Sequence, residues 1–339
     1  MEKIVLQQVQ DNPEYIERIG IITDEAADLP KDIIEKYQIA VVPVKMDWPE
    51  IENLPGENTF QKMRELEKRG IKSFGKTSQP SPKDFLDQYK YQLERFDKII
   101  CITITSKLSG TYNSAIQAKN FLEIEKQEKV FIIDSLSVTG GQTLLILKAI
   151  GLIQEGEEDK SSSFPFAVAR EGEEDKSSSF PFAVAREGKE IKEIIKELEE
   201  FVPQIHLYVM LEDPKWIEAL GRISHLVANL MRGLAKVGIR PVLTLKSGVL
   251  VPAGVKTGAK EMPVGLLKQL EADIKKFKME DRKIRVIITH GDNLEGAQKL
   301  KEMIWGKVKN AEIVFLNIIN NVVGVPAGPN ALTIAWCEI

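Results

Sequence analysis

Apolar and polar positions along this chain alternate between two periods. Short continuous apolar runs such as IGIIT at 19–23, KIICITIT at 98–105 and VFIID at 130–134 have strand length, and helical patterns lie between them. The pattern predicts a strand ending at Thr23 and Asp24, then a helix in DLPKDIIEKYQI capped by Asp28. A strand through AVVPVKM, helices over about 58–69 and 82–95, the strand KIICITIT, a helix opening in SGTYNSA, the strand VFIID and a long apolar helix from about 141 follow. Strands separated by helices of this length imply parallel β-α-β units with right-handed crossovers. Ligands of such sheets sit beyond the carboxyl ends of the strands. Thr23 with Asp24, Ser106 to Thr111, and Asp134 with Ser135 all fall at such ends, so three turns are expected to converge on one crevice.

From Lys189 onward, Ile191, Ile194, Ile195 and Leu198 mark an amphipathic helix, and a second alternating region begins. It reads as strand IHLYVML, helices PKWIEALGRI and SHLVANLMRGLAKVG, strands RPVLTL and VLVPAGV, a helix over 261–277, strand IRVIITH, a helix over 295–307 and strand EIVFLNI. A chain of 339 residues is longer than one core usually serves, so two α/β domains are expected. Their bounds are 19–154 and 187–339, with an N-terminal extension at 1–18. Between them EGEEDKSSSFPFAVAR at 155–170 is repeated without change at 171–186. Two identical copies do not make a repeat architecture, and surface loops accept long insertions at modest entropic cost, so 155–186 reads as a duplicated 16-residue insertion.

Two loops carry the candidate chemistry. In TSQPSP at 77–82, Ser81 reads as an N-cap with Pro82 first in the helix and Asp84 completing the capping pattern, leaving Thr77, Ser78 and Gln79 ahead of it. In SKLSGTYNSA at 106–115, Ser109, Gly110 and Thr111 present hydroxyls and backbone N–H groups at a helix N-terminus, which suits an anion. Neither loop holds a His or carboxylate before its helix starts, so binding is indicated over catalysis. A hydrolase or acyltransferase using Ser109 or Ser106 as nucleophile is the enzymatic alternative, but no G-x-S-x-G elbow or paired His accompanies it. A binder of a small non-lipid carboxylate and a scaffold acting through the acidic repeat are further alternatives. Asp24 and Asp134 read as turn-capping acids, Arg222 as a partner contact or a helix-terminal salt bridge, and Gly140 with Gly141 as half a phosphate loop without the rest of its motif.

Composition narrows the partners. The formal charge of −4 equals that of the two repeat copies together, and no basic cluster is read elsewhere, which argues against nucleic acid. The apolar stretch TLLILKAIGLI at 143–153 is too short to span a bilayer, and no leader pattern opens the chain. Two Cys, Cys101 in a strand and Cys337 near the end, favour a reducing cytoplasm over a disulfide framework. The three His have no metal-ligand spacing.

TDEAADLP at 23–30, VVPVKM at 41–46, KTSQPSP at 76–82, ITSKLSGTYNSA at 104–115, IIDSLSVTGG at 132–141, ALGRIS at 219–224, KSGVL at 246–250 and AGPNAL at 327–332 occur in this order. Together they resemble the DegV family of fatty-acid-binding proteins over nearly all of the chain from Ile19, apart from the insertion. The resemblance implies a Rossmann-like parallel sheet with helices on both faces, a C-terminal α/β domain, and a ligand between them. It further implies a non-enzymatic protein without cofactor that buries a long-chain fatty acid and presents its carboxylate to a separate kinase. By position, Thr77 and Ser109 would bond the carboxylate, Ser78, Gly110 and Thr111 would complete a polar cup, and Lys256 would stand where the family commonly has Arg. Pro326 replaces the His of the family's usual His-x-Gly-Pro-Gly segment, and Glu25 replaces the usual Ser.

Overall fold

The computed structural model describes residues 17–154, 190–237, 239, 241–255 and 261–339. The N-terminal extension before Glu17, the duplicated insertion and Lys256 therefore lie outside the described residues. In chain order the strands are β1 Ile19–Asp24, β2 Ala40–Val42, β3 Lys45–Asp47, β4 Lys76–Ser78, β5 Lys98–Thr103, β6 Val130–Asp134, β7 His206–Met210, β8 Pro241–Lys246, β9 Val249–Val255, β10 Ile284–His290, β11 Ala311–Ile318 and β12 Leu332–Glu338.

The first region forms a four-stranded sheet in the order β2-β1-β5-β6, parallel throughout. The helices Pro82–Leu93 and Thr111–Asn120 cover one face, where Phe85, Tyr89, Ala115 and Ala118 pack on Ile22, Ile99 and Cys101. The helix Gly140–Gln154 covers the other, and it is apolar on every side because a second sheet lies beyond it. That sheet has six strands in the order β11-β10-β12-β7-β8-β9; only β10 and β11 run parallel. Its outer face carries the helices Met262–Phe277 and Leu294–Lys307, so helices and sheets alternate through the molecule. A Cβ on Gly140 would lie 2.8 Å from Ile287 Cγ2 and 3.1 Å from the Cβ of Ala335, so Gly140 serves close approach of helix to sheet. Among the described residues no helix is long and apolar enough to cross a membrane.

Several local expectations change. AVVPVKM is not one strand: it splits at Pro43 into β2 of the parallel sheet and β3 of a separate antiparallel ribbon with β4, because proline cannot donate to a ladder. Asp28 does not cap the helix Lys31–Lys36, whose N-cap is Pro30. Instead Asp28 closes the short 3-10 turn Glu25–Ala27 in the left-handed region, at φ 55. The helix expected over PKWIEALGRI stops at Ala219, and Gly221 turns the chain at φ +68. The pattern also missed two elements near the end, the helix Asn321–Ala327 and β12. β12 is central, pairing with both β10 and β7, and its antiparallel direction makes the second sheet mixed.

Candidate ligand site

The connection from β1 leads to β2 on one side of the sheet, while β5 adds to the other side. The order of strands therefore reverses between β1 and β5, and a crevice opens beyond their carboxyl ends. A cavity of about 460 Å³ occupies that place, floored by Asp24, Ala26 and Ile104. Its size falls within the ~300–1,000 Å³ usual for small-molecule sites.

The polar end comes from the two loops. The β3-β4 ribbon pairs Thr77 with Met46 and Ser78 with Lys45, and so carries Thr77, Ser78 and the following Gln79 to the rim of the crevice. The expected capping box of Ser81 and Asp84 is formed and fixes where this loop becomes helix. On the facing side, the loop after β5 supplies Ser109, Gly110 and Thr111. The Ser109 and Thr111 hydroxyls lie 2.8 Å apart, and Gly110 gives the helix Thr111–Asn120 an N-cap without a side chain. First-turn N–H groups left without such a cap keep donor capacity for an anion. Any Cβ on Gly110 would overlap the Gln79 amide, which donates to Ser114 Oγ at 3.1 Å. The φ of −77 at Gly110 is open to any residue, and a side chain there would have to displace the Gln79 amide.

The remaining wall is aliphatic. Val209 and Leu211 reach it from β7 and its end, Leu243 and Leu250 from the β8-β9 hairpin, and Val322, Val323 and Pro326 from the helix Asn321–Ala327. Five of the six sequence-predicted site residues, Thr77, Ser78, Ser109, Gly110 and Thr111, thus line one cavity. Lys256, the sixth, lies outside the described residues. Arg222 also lines the cavity, and its Nη2 donates to Thr77 Oγ1 at 3.3 Å. Among the described residues no carboxylate pairs with it, so the expected salt bridge is not formed; burial lowers the pKa of the guanidinium.

The carboxyl groups near the site are committed to backbone donors. Asp24 Oδ1 accepts from Ala26 N at 3.0 Å and Oδ2 from Ile104 N at 2.8 Å, while burial pushes its pKa up to about 6 against the lowering effect of those bonds. Glu25 accepts from Val44 N at 2.8 Å, where the chain passes from β2 to β3. Asp134 accepts from Ser106 N and Leu136 N, as a turn-capping acid does. Asp28 is pushed by burial up to about 7; its Oδ1 accepts from Asn320 N at 2.8 Å. The Asn320 side chain donates to Glu25 O and accepts from Val322 N and Val323 N, tying the first sheet to the helix that forms the far wall.

Acid-base partners for catalysis are lacking around Ser109, to which no His or carboxylate is hydrogen-bonded among the described residues. His290 is buried and accepts from Asn293 N at 3.0 Å, His206 stacks on Trp336 at 4.3 Å, and His225 pairs with Glu218 on the surface. Both Cys are buried, with thiols pushed up to about 12 by burial. Among the described residues no three His, Cys, Asp or Glu side chains converge on a metal site.

The family model described as "Uncharacterised protein, DegV family" matches residues 18–161 and 182–338. This chain belongs to the DegV family. A relative in Thermotoga maritima named fatty acid-binding protein is 29% identical over 328 residues, covering 93% of this chain and 96% of its own. Among solved structures, a DegV lipid binding protein from Thermotoga maritima superposes with a TM-score of 0.65 at 26% identity, covering 95% of this chain and 99% of its own. A second Thermotoga maritima protein, described as revealing fatty acid binding function, gives 0.66 at 25% identity and covers 95% and 100%. The DegV family model passes over 162–181, inside the tandem repeat.

Proposed function

We propose that this DegV protein binds a long-chain fatty acid in the cavity beyond β1 and β5. The carboxylate is held by Thr77 and Ser109, with Ser78, Gly110 and Thr111 completing the cup, and the acyl chain runs along the aliphatic wall. The observation that carries this reading is the division of one cavity into a rim of hydroxyl and N–H donors and a facing wall of aliphatic side chains. Burying about 15 methylenes at roughly 0.8 kcal/mol each gives a gross driving force near 12 kcal/mol before the costs of binding. The donors matter because an unpaired buried carboxylate would cancel much of that gain. The fatty acid-binding relatives support the same ligand class.

Presentation of the carboxylate to a separate kinase rests on the family resemblance. The enzymatic alternative loses support from the absence of a base at Ser109 among the described residues, and a small polar carboxylate would leave the aliphatic wall unfilled. Gentle mass spectrometry of the purified protein, followed by organic extraction, tests the reading. A stoichiometric fatty acid is expected; an empty protein that also fails to take up palmitate or oleate overturns it.

A further inference from the structure

We infer that the contact between Asp28 and Asn320 is a proton-operated catch on the cavity wall. With Asp28 neutral, the helix Asn321–Ala327 is held against the first sheet and the acyl chain is retained; ionisation of Asp28 frees the helix and speeds release. The inference rests on the acyl-chain reading for its ligand, whereas the movement of the helix can be measured without one.

One side of the contact is fixed and the other is held by few tethers. The turn at Glu25–Ala27 is bound to the helix Gly140–Gln154 and the residue before it: Thr139 N donates to Ala26 O at 2.8 Å and Thr143 Oγ1 to Ala27 O. Opposite it, the helix Asn321–Ala327 supplies Val322, Val323 and Pro326 to the cavity. Seven residues with a proline among them make a helix that is marginal by itself, so its position depends on its tethers. Two of these meet at Asn320, whose backbone N donates to Asp28 Oδ1 at 2.8 Å and whose side chain donates to Glu25 O. Another is the 2.7 Å bond from Thr59 Oγ1 to Asn321 Oδ1. The cavity wall is thus tied in part to a buried carboxyl group.

Asp28 is 5% exposed, and its Oδ2 has no hydrogen-bond partner among the described residues. No cation compensates it. Within the same turn Asp24, also buried, opposes its ionisation, and Glu25 directs its carboxylate to Val44 N. Lys31 and Asp32, at the start of the next helix, are exposed. Neither 135–147 nor 317–330, the segments packed around the turn, contains an acidic or basic residue, and Lys148 lies over the Phe201 ring. The bond from Asn320 N favours the charged carboxylate, yet burial outweighs it and pushes the group up to about 7. Opening the contact admits water and returns the carboxyl toward its ordinary 3.8. The closed arrangement therefore binds the proton more tightly than the open one; its advantage is full below about pH 4 and is lost as pH rises through 7. By reciprocity, a ligand packed on Val322 and Val323 favours the closed wall and the proton together.

The test follows release of palmitate to excess albumin between pH 5 and pH 7.5, with amide hydrogen exchange of 322–327 in the ligand-free protein measured alongside. The wild-type release rate is expected to rise at least about tenfold over this range, and exchange in the helix, corrected for its intrinsic pH dependence, to rise with it. Asp28→Asn keeps an acceptor for Asn320 N and cannot ionise, so its release rate should stay within about threefold of the slow value throughout. Ionisation of palmitate itself is common to both proteins and drops out of the comparison. Asn320→Ala removes the other half of the catch, and its release at pH 5 should already match the wild type at pH 7.5. Urea unfolding at pH 5 verifies that each variant is folded. Identical pH profiles for the wild type and Asp28→Asn, a flat wild-type profile, or slow release from Asn320→Ala at pH 5 overturns the catch. A wild type that takes up no palmitate overturns the acyl-chain reading instead, and the exchange profiles then decide the movement of the helix by themselves.

Discussion

The two ends of the cavity are built in different ways. The polar rim consists of residues whose neighbours in sequence position them: Ser109 and Thr111 bond each other two residues apart, and Ser81 and Asp84 close a box three residues apart. The aliphatic wall gathers Val209, Leu243, Leu250 and Val323 from separate strands and a helix, each placed by packing over long chain separations. Hydrogen-bonding loops leave local marks in a sequence because capping and turns demand particular residue types. An apolar lining leaves none, since a valine facing a cavity and a valine facing the core are the same letter.

If the rim provides affinity for the head group and the wall selects the chain, substitutions should separate the two. The largest expected effect comes from Thr77→Ala with Ser109→Ala. Two hydrogen bonds to a charged group at about 1.5–3 kcal/mol each predict at least a hundredfold loss of palmitate affinity, read by calorimetry, with the fold intact. Unchanged affinity would remove both residues from the head-group site. Val209→Phe places a ring in the apolar end; palmitate should weaken about tenfold while octanoate keeps its affinity, since each displaced methylene is worth about 0.8 kcal/mol. Parallel loss of both acids would contradict the division.

Asp28 tests the seam between rim and wall. Its pKa in the folded protein, about 7, lies above the ordinary 3.8, so the folded state binds the proton more tightly than the unfolded chain does. The linkage therefore removes stability as pH rises from about 4 through 7, by about 1.4 kcal/mol for each pKa unit. Asp24, at about 6, contributes in the same direction, while His206 and His290, lowered by burial, contribute in the opposite one. The readout is thus the difference between Asp28→Asn and the wild type in urea unfolding at pH 5 and pH 8. Asn keeps an acceptor for Asn320 N and tolerates the left-handed backbone, so the variant should gain stability at pH 8 and clearly less at pH 5. A difference that does not vary with pH would show that the carboxyl is not protonated there. The smallest effect is expected from Ser81→Ala: loss of this N-cap should cost about 1 kcal/mol and loosen the Thr77 loop, lowering palmitate affinity only slightly.

Most of the first sheet was legible because continuous apolar runs of strand length, separated by amphipathic helices, admit few topologies. The exceptions are instructive. Pro43 interrupts AVVPVKM and sends β3 to a different partner, a choice made by the ribbon that carries Thr77. The helix Asn321–Ala327 contains Pro326 and ends at Gly328, so its local preferences argue against a helix; Asn320 capping two N–H groups and burial of Val322 and Val325 outweigh them. Arg222 was visible in ALGRIS, yet nothing local says that it faces Thr77 from 145 positions away.

By itself the sequence determined the alternation of strands and helices, the capped loops with their hydroxyl and N–H donors, and the run of motifs that marks the family. Those features depend on residue type and short-range spacing. Only the tertiary structure decided that β12 would enter the middle of the second sheet, that the helix Gly140–Gln154 would lie between two sheets, and that Arg222, Thr77 and the aliphatic wall would share one cavity. These arrangements are set by which apolar faces can be buried against each other, a property of the folded whole that no local pattern encodes.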